Sequence, residues 1–219
     1  MTLDRLLAAR VEQGRPVRVG LIGAGKFGSM FLTQVPTTVG LDVAVIVDLE
    51  VERARKTCHE VGWPNDLVEA THFTDDMAEL LADDTIEVVI EATGNPIVGV
   101  THARRAIAAG KHVVMVNVEA DVLVGPLLAA EAATAGVVYT MAYGDQPALA
   151  CELVGWARAC GFDVVAAGKG TKYLPSYHRS TPDTVWDHYG LTPGEAAAAG
   201  MNSQMFNSFL DGTKSAIEM

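Results

Sequence analysis

The sequence has no run of about 18 apolar residues, so no membrane-crossing helix is expected. Positive charge is scarce: 16 Lys and Arg stand against 27 Asp and Glu, a net charge of −11. No basic stripe offsets this, which argues against nucleic acid and anionic membranes as partners. An anionic substrate would need a local cluster of cations. Cysteine is rare as well, and Cys58, Cys151 and Cys160 form no C-x-x-C pair. An odd, scattered count suits a reduced, cytoplasmic chain with its cysteines in packing roles. His59, His72 and His112 lack ligand-like spacing, so no zinc site is visible. The opening MTLDRLLAARVEQG lacks the apolar core of a signal peptide and reads as a short amphipathic helix. No repeat of fixed period occurs. What remains is an ordinary globular composition, 49% hydrophobic and 20% charged. At 219 residues there is room for one large domain, or one domain and part of another.

The most informative stretch is VRVGLIGAGKFG, from Val17 to Gly28. Val17–Ile22 is apolar enough to be a strand covered on both faces. The turn Gly23-Ala24-Gly25-Lys26-Phe27-Gly28 fits G-x-G-x-x-G. Gly23 allows the tight turn, Gly25 lets a pyrophosphate approach the backbone, and Gly28 lets the next helix pack on the sheet. That helix aims its free amides and positive dipole end at the phosphates. The motif alone is weak, but a second apolar run ends at Asp48, 20 residues after Gly28. An acid there accepts hydrogen bonds from the adenosine ribose hydroxyls. The plain alternative is a turn aspartate in some other βαβ fold. Asp48 favours NAD by repelling a 2′-phosphate, whereas Arg53 and Arg55 close behind could receive that phosphate and favour NADP.

Helix and strand patterns alternate to about residue 167, which predicts an α/β, doubly wound, mostly parallel sheet of Rossmann type. Helices are expected over 26–35, 51–61, 76–82 and 98–109, then to about 135, and over 147–160. Further strands are expected over 41–48, 86–90, 112–116, 137–141 and 163–167. Residues 1–15 form the N-terminal helix, 16–145 the NAD(P)-binding domain, and 146–219 the start of a substrate and catalytic region. Residues 168–200 are irregular and rich in Pro, Gly, Tyr and Trp, which suggests a substrate-facing segment. Residues 202–219 read as one helix without C-terminal punctuation, as if the chain continued.

In such sheets ligands bind beyond the carboxyl ends of the strands. Ala92, Thr93 and Gly94 are expected beside the nicotinamide, with an ordinary β-turn as the alternative. Asn117 follows the next strand and is expected there too. Glu119 is a candidate general base or metal ligand, or only a helix-start acid favoured by the dipole. Asp145, in Gly-Asp-Gln-Pro, is a candidate acid/base or metal ligand, with an N-cap role as the rival. Lys169, Lys172, His178 and Arg179 gather cations within 11 residues of an acidic chain. A carbonyl being reduced needs such a group at the developing alkoxide, and a substrate phosphate needs the same. A solvated basic loop is the alternative. Asp211 and Lys214 stand i, i+3 on the terminal helix, as a weaker catalytic pair or a surface ion pair.

The segments GLIGAGKFG, EATGNP (91–96) and GKHVVMVN (110–117) resemble homoserine-dehydrogenase-like oxidoreductases. VNVEAD, AYGDQPAL, GKGTKYLPSYH, STPDTVW and MFNSFLDGTKSAIE resemble, within that family, the deoxyxylulose-phosphate reductoisomerase-like subgroup, and with them the likeness covers nearly the whole chain. The resemblance implies an NAD(P)-dependent oxidoreductase that reduces, with isomerisation, a small phosphorylated keto sugar such as 1-deoxy-D-xylulose 5-phosphate, a step of isoprenoid biosynthesis. It also implies a C-terminal SAF domain after residue 219. An α-ketol rearrangement would use a divalent Mg2+ or Mn2+ to hold adjacent oxygens, with Glu119 and Asp145 as the candidate ligands. A homo-oligomer is expected. Homoserine dehydrogenases carry a lysine where this chain has Val118, which counts against homoserine as substrate. The alternatives are a dehydrogenase of an amino-acid-derived or hydroxy acid, and an NAD(P)-binding sensor without catalysis.

Overall fold

A computed structural model describes residues 2–144, 146–168 and 173–218. The chain forms two compact units, residues 1–142 and 143–219.

The first unit is built on a sheet of six parallel strands: β1 (Val17–Ile22), β2 (Leu41–Val47), β3 (His72–Thr74), β4 (Val88–Glu91), β5 (His112–Met115) and β6 (Tyr139–Met141). Their spatial order is β3-β2-β1-β4-β5-β6, the doubly wound order of a Rossmann fold, reversing direction between β1 and β4. The connections are α2 (Lys26–Gln34), α3 (Val51–Glu60), α4 (Asn65–Ala70), α5 (Met77–Ala82), α6 (Pro96–Ala108) and α7 (Val118–Ala135), after an N-terminal α1 (Leu3–Glu12). The longer strands are mostly apolar because helices cover both faces, with polar residues such as Arg18, Asp42 and Glu91 at or next to their ends. Leu21 packs with Leu32, Ile46, Cys58 and Trp63, while its neighbour Ile22 packs with Leu80, Val89, Ile107 and Met115.

Most expected elements fall within two residues of those found. Two are additional. The stretch 63–85 holds α4 and the three-residue β3 besides the expected α5. α7 is interrupted: Val124 has non-helical angles (φ −146°, ψ 18°), and Pro126 removes an amide from the ladder.

In the second unit α8 (Gln146–Ala159) precedes α9 (Val185–Tyr189), α10 (Pro193–Ala198), α11 (Ser203–Leu210) and α12 (Thr213–Glu218). Tyr177, Val185, Trp186, Ala196 and Leu210 form its core, with Phe206 edge-on to Tyr189 at 5.4 Å between ring centres. The expected strand over 163–167 is not formed. A strand needs a sheet edge to pair with, and Val165 is instead 96% exposed. The expected terminal helix is two helices, parted at Asp211 and Gly212 because Gly212 takes φ +82°.

Candidate functional site

Between β1 and α2 the three glycines do different work. Gly23 has φ +95°, and a Cβ there would stand 2.8 Å from the Ala92 carbonyl oxygen. At Gly28 a Cβ would stand 2.3 Å from the Gly23 carbonyl oxygen, so only glycine lets α2 approach the turn. Gly25 is the reverse case: nothing lies within 4 Å of its Cβ position. It is the N-cap of α2 and has no side chain to cap with, which leaves first-turn amides directed out of the helix start. An open backbone cradle at a helix N-terminus fits a pyrophosphate. Lys26 and Phe27, in that first turn, are both exposed.

Asp48 follows β2 directly and is 8% exposed. Its Oδ2 accepts from the Ala24 amide at 2.8 Å, and its Oδ1 from the Glu50 amide and Arg53 Nη2, each at 2.9 Å. The carboxylate therefore pins the glycine turn, with one of its four acceptor positions left over. Arg53 keeps more than half of its side chain in solvent. Arg55 is engaged elsewhere, with its guanidinium carbon 4.4 Å from the centre of the Phe73 ring.

Polar residues close the carboxyl ends of β4 and β5. Glu91, the last residue of β4, is fully buried. Its Oε1 accepts from Thr93 Oγ1 at 2.6 Å and His102 Nδ1 at 3.1 Å. Gly94 takes φ +72° with open space around it. Asn117 is buried and caps α7, its Oδ1 accepting from the Ala120 amide at 3.2 Å. Among the described residues neither Glu91 Oε2 nor Asn117 Nδ2 has a partner. Tyr139 donates to Asp121 Oδ1 at 2.8 Å. Burial first, then that bond and the charges of Asp121 and Glu91, push the pKa of Tyr139 far above the usual phenol range, so it stays protonated.

Gly23, Gly25, Gly28, Asp48 and Arg53 thus gather at one end of β1 and β2, and Ala92 and Thr93 lie against Gly23. Glu119 is exposed in the first turn of α7. Asp145, Lys169 and Lys172 lie outside the described residues. Asp211 and Lys214 do not share a helix. Asp211 ends α11, accepting from Asn207 Nδ2 at 3.0 Å and the Thr213 amide at 2.8 Å, while Lys214 of α12 lies over the Phe209 ring. Their expected i, i+3 pairing fails because Gly212 breaks the helix between them. No group of three or more His, Cys, Asp or Glu among the described residues is placed to hold a metal ion. Glu91 and His102 escaped the sequence reading. An acid closing an apolar strand, followed 11 residues later by a histidine, is the only trace they leave.

Residues 17–116 match the oxidoreductase family with an NAD-binding Rossmann fold. Residues 144–219 match the catalytic domain of oxidoreductase DRL. A curated relative, 4-carboxy-2-hydroxymuconate-6-semialdehyde dehydrogenase from a Sphingobium strain, is 33% identical over 100 residues, covering 44% of this chain and 28% of that protein. Among solved structures, Bacillus subtilis yvaA aligns at TM-score 0.50 and 21% identity, covering 67% of this chain and 40% of its own. An NAD-binding oxidoreductase from Klebsiella pneumoniae aligns at TM-score 0.50 and 24% identity, over 67% and 39%. These two share the fold. The chain spans well under two thirds of each of the three proteins. In order along the chain, a segment matching the NAD-binding Rossmann fold of the oxidoreductase family is followed by one matching the DRL catalytic domain.

Proposed function

We propose that this protein binds NAD(P) across the first unit and serves as an oxidoreductase on a small carbonyl or alcohol substrate. The observation that carries this reading is the glycine turn. Gly23 and Gly28 are sterically required, yet the space at Gly25 is left open at the mouth of α2. Bound there, the dinucleotide supplies or accepts a hydride at its nicotinamide ring. The chain's own residues do the rest. First-turn amides of α2 hold the pyrophosphate, and Asp48 takes a ribose hydroxyl with its remaining acceptor position. Arg53 offers its exposed guanidinium to a 2′-phosphate when NADP is the cofactor. Gly94 and the Asn117 segment border the nicotinamide end.

Hydride addition to a carbonyl carbon must be matched by a proton on its oxygen. Lys169 and Lys172 are the proposed sources of that proton, or of the positive charge that stabilises the alkoxide. Glu119 and Asp145 are the proposed acid/base partners. The finer reading is reduction with isomerisation of a phosphorylated keto sugar such as 1-deoxy-D-xylulose 5-phosphate. Its support is the resemblance of residues 116–121, 142–149 and 168–186, together with a cation cluster in a chain of net charge −11. His178 and Arg179, both exposed, belong to that cluster, and His178 lies edge-on to Tyr173 at 5.1 Å.

The test begins with titration of NADH and NADPH, followed by absorbance at 340 nm with phosphorylated and unphosphorylated carbonyl substrates, with and without Mg2+ or Mn2+. Binding and phosphate-dependent oxidation of the reduced cofactor are expected. Failure to bind either dinucleotide overturns the reading. Binding without turnover on any carbonyl points to a sensor, and turnover on an amino-acid-derived or hydroxy-acid substrate points to the other dehydrogenase class.

A further inference from the structure

We infer that Glu91 and His102 are positioning residues for the dinucleotide site, a buried carboxylate and a part-buried imidazole that together fix the Thr93–Asn95 turn against the glycine turn. The inference rests on the dinucleotide reading above and adds to it two residues that sequence patterns do not single out.

A carboxylate with no exposure is costly unless its bonds repay the lost hydration. An apolar residue would end β4 without that cost. Glu91 has no Lys or Arg within ion-pair reach among the described residues, and its one basic neighbour is His102. Both bonds that Glu91 accepts lead into the site. Thr93 Oγ1 donates to Oε1 at 2.6 Å and itself accepts from the Asn95 amide at 3.4 Å. Asn95 in turn caps α6, with Oδ1 accepting from the Val98 amide at 3.1 Å. The second bond comes from the next turn of α6. When Glu91 is ionised it can only accept, and the bond to His102 is then one in which Nδ1–H donates. One buried carboxylate therefore secures the start of the turn and the helix that follows it.

The turn is coupled to the glycine loop by direct contact. The Ala92 amide donates to the Ile22 carbonyl at 2.8 Å, and a Cβ on Gly23 would lie 3.0 Å from the Thr93 nitrogen. A displacement of Thr93 is thus transmitted to Gly23. Gly99 completes the arrangement. Where its Cβ would stand, Asn117 Nδ2 is 2.8 Å away and Glu91 Oε2 is 3.1 Å away, so α6 lies directly on the carboxylate.

The experiment compares wild type, T93V, E91Q, H102A and H102N for NADH and NADPH affinity, melting temperature, and KM against kcat. The T93V and H102A proteins should bind the dinucleotide about tenfold more weakly, as expected when a hydrogen bond to a buried charge is lost. H102N sets an amide donor near the lost Nδ1–H and should recover most of that affinity. The losses should appear in KM for the cofactor and follow the hydrogen bond rather than the melting temperature. If wild type binds and T93V and H102A bind equally well, the positioning role is wrong although the dinucleotide reading stands. If affinity falls and recovers only in step with the melting temperature across these variants, the pair is structural support only, and the inference fails. If wild type binds neither dinucleotide, both readings fall together. Should E91Q or H102A not fold, T93V decides alone, because it only exchanges a hydroxyl for a methyl at an exposed position.

Discussion

Glycines of one motif answer to different forces, and substitution separates them. Gly28→Ala forces a Cβ to 2.3 Å from the Gly23 carbonyl oxygen. Overpacking of that kind costs about 1–3 kcal/mol, and a lower melting temperature in a thermal scan checks it. Gly25→Ala meets nothing within 4 Å and keeps ordinary backbone angles (φ −70°, ψ −157°). Its melting temperature should hold while dinucleotide affinity falls, because the methyl occupies the pyrophosphate's place. Arg53→Ala tests cofactor choice. Removing a charge-assisted bond costs about 1.5–3 kcal/mol, so NADPH should weaken at least about tenfold in titrations while NADH changes little. The glycine turn, Asp48 and Arg53 were legible in the sequence because a fixed spacing of few residues defines them. The burial of Glu91 was not. Whether an acid at a strand end faces solvent or a helix depends on α6, whose docking no local pattern records.

Elements show the same division. β1 and β2 are legible as Val- and Ile-rich runs closed by Gly23 and Asp48. β3 is three residues beginning with His72, too short for any periodicity, and it exists only because β2 offers its edge. The run Asp163–Ala167 has the opposite fault, since its apolar pattern suits a strand but finds no sheet edge. Packing of α6 supplies a prediction: Gly99→Ala drives a methyl against Asn117 Nδ2 and Glu91 Oε2. A melting-temperature loss equivalent to about 1–3 kcal/mol is expected. α3 supplies another. Cys58, on its buried face, has its thiol pushed up from 9.0 to about 11 by burial, slightly opposed by Arg55. A thiol whose pKa is higher folded than unfolded contributes stability that is present below pH 9.0 and lost as pH rises towards about 11. Denaturant titrations from pH 8 to 11 should show that decline, and Cys58→Ala should flatten this part of it. Thiol reagents at pH 8 should label the exposed Cys151 and Cys160 first.

For the whole molecule, the described cofactor-side residues fall within residues 1–142 and the proposed substrate cations within 143–219. Binding of the two ligands should therefore separate genetically. Lys169→Ala and Lys172→Ala are expected to leave dinucleotide affinity within about twofold while substrate KM rises or kcat falls. A common loss of both would contradict this division. With 16 basic residues against 27 acidic, few cations are available to offset such a substitution.

The break in α7 has a mechanical consequence. Pro126 has no amide to offer the Val122 carbonyl, and Val124 has already left helical geometry. The amide ladder through the turns bearing Glu119 and Asp121 is therefore interrupted before it reaches the stretch from Leu128 onward. Damage to those first turns, at the Asn117 cap for instance, need not spread along the ladder to the rest of the rod.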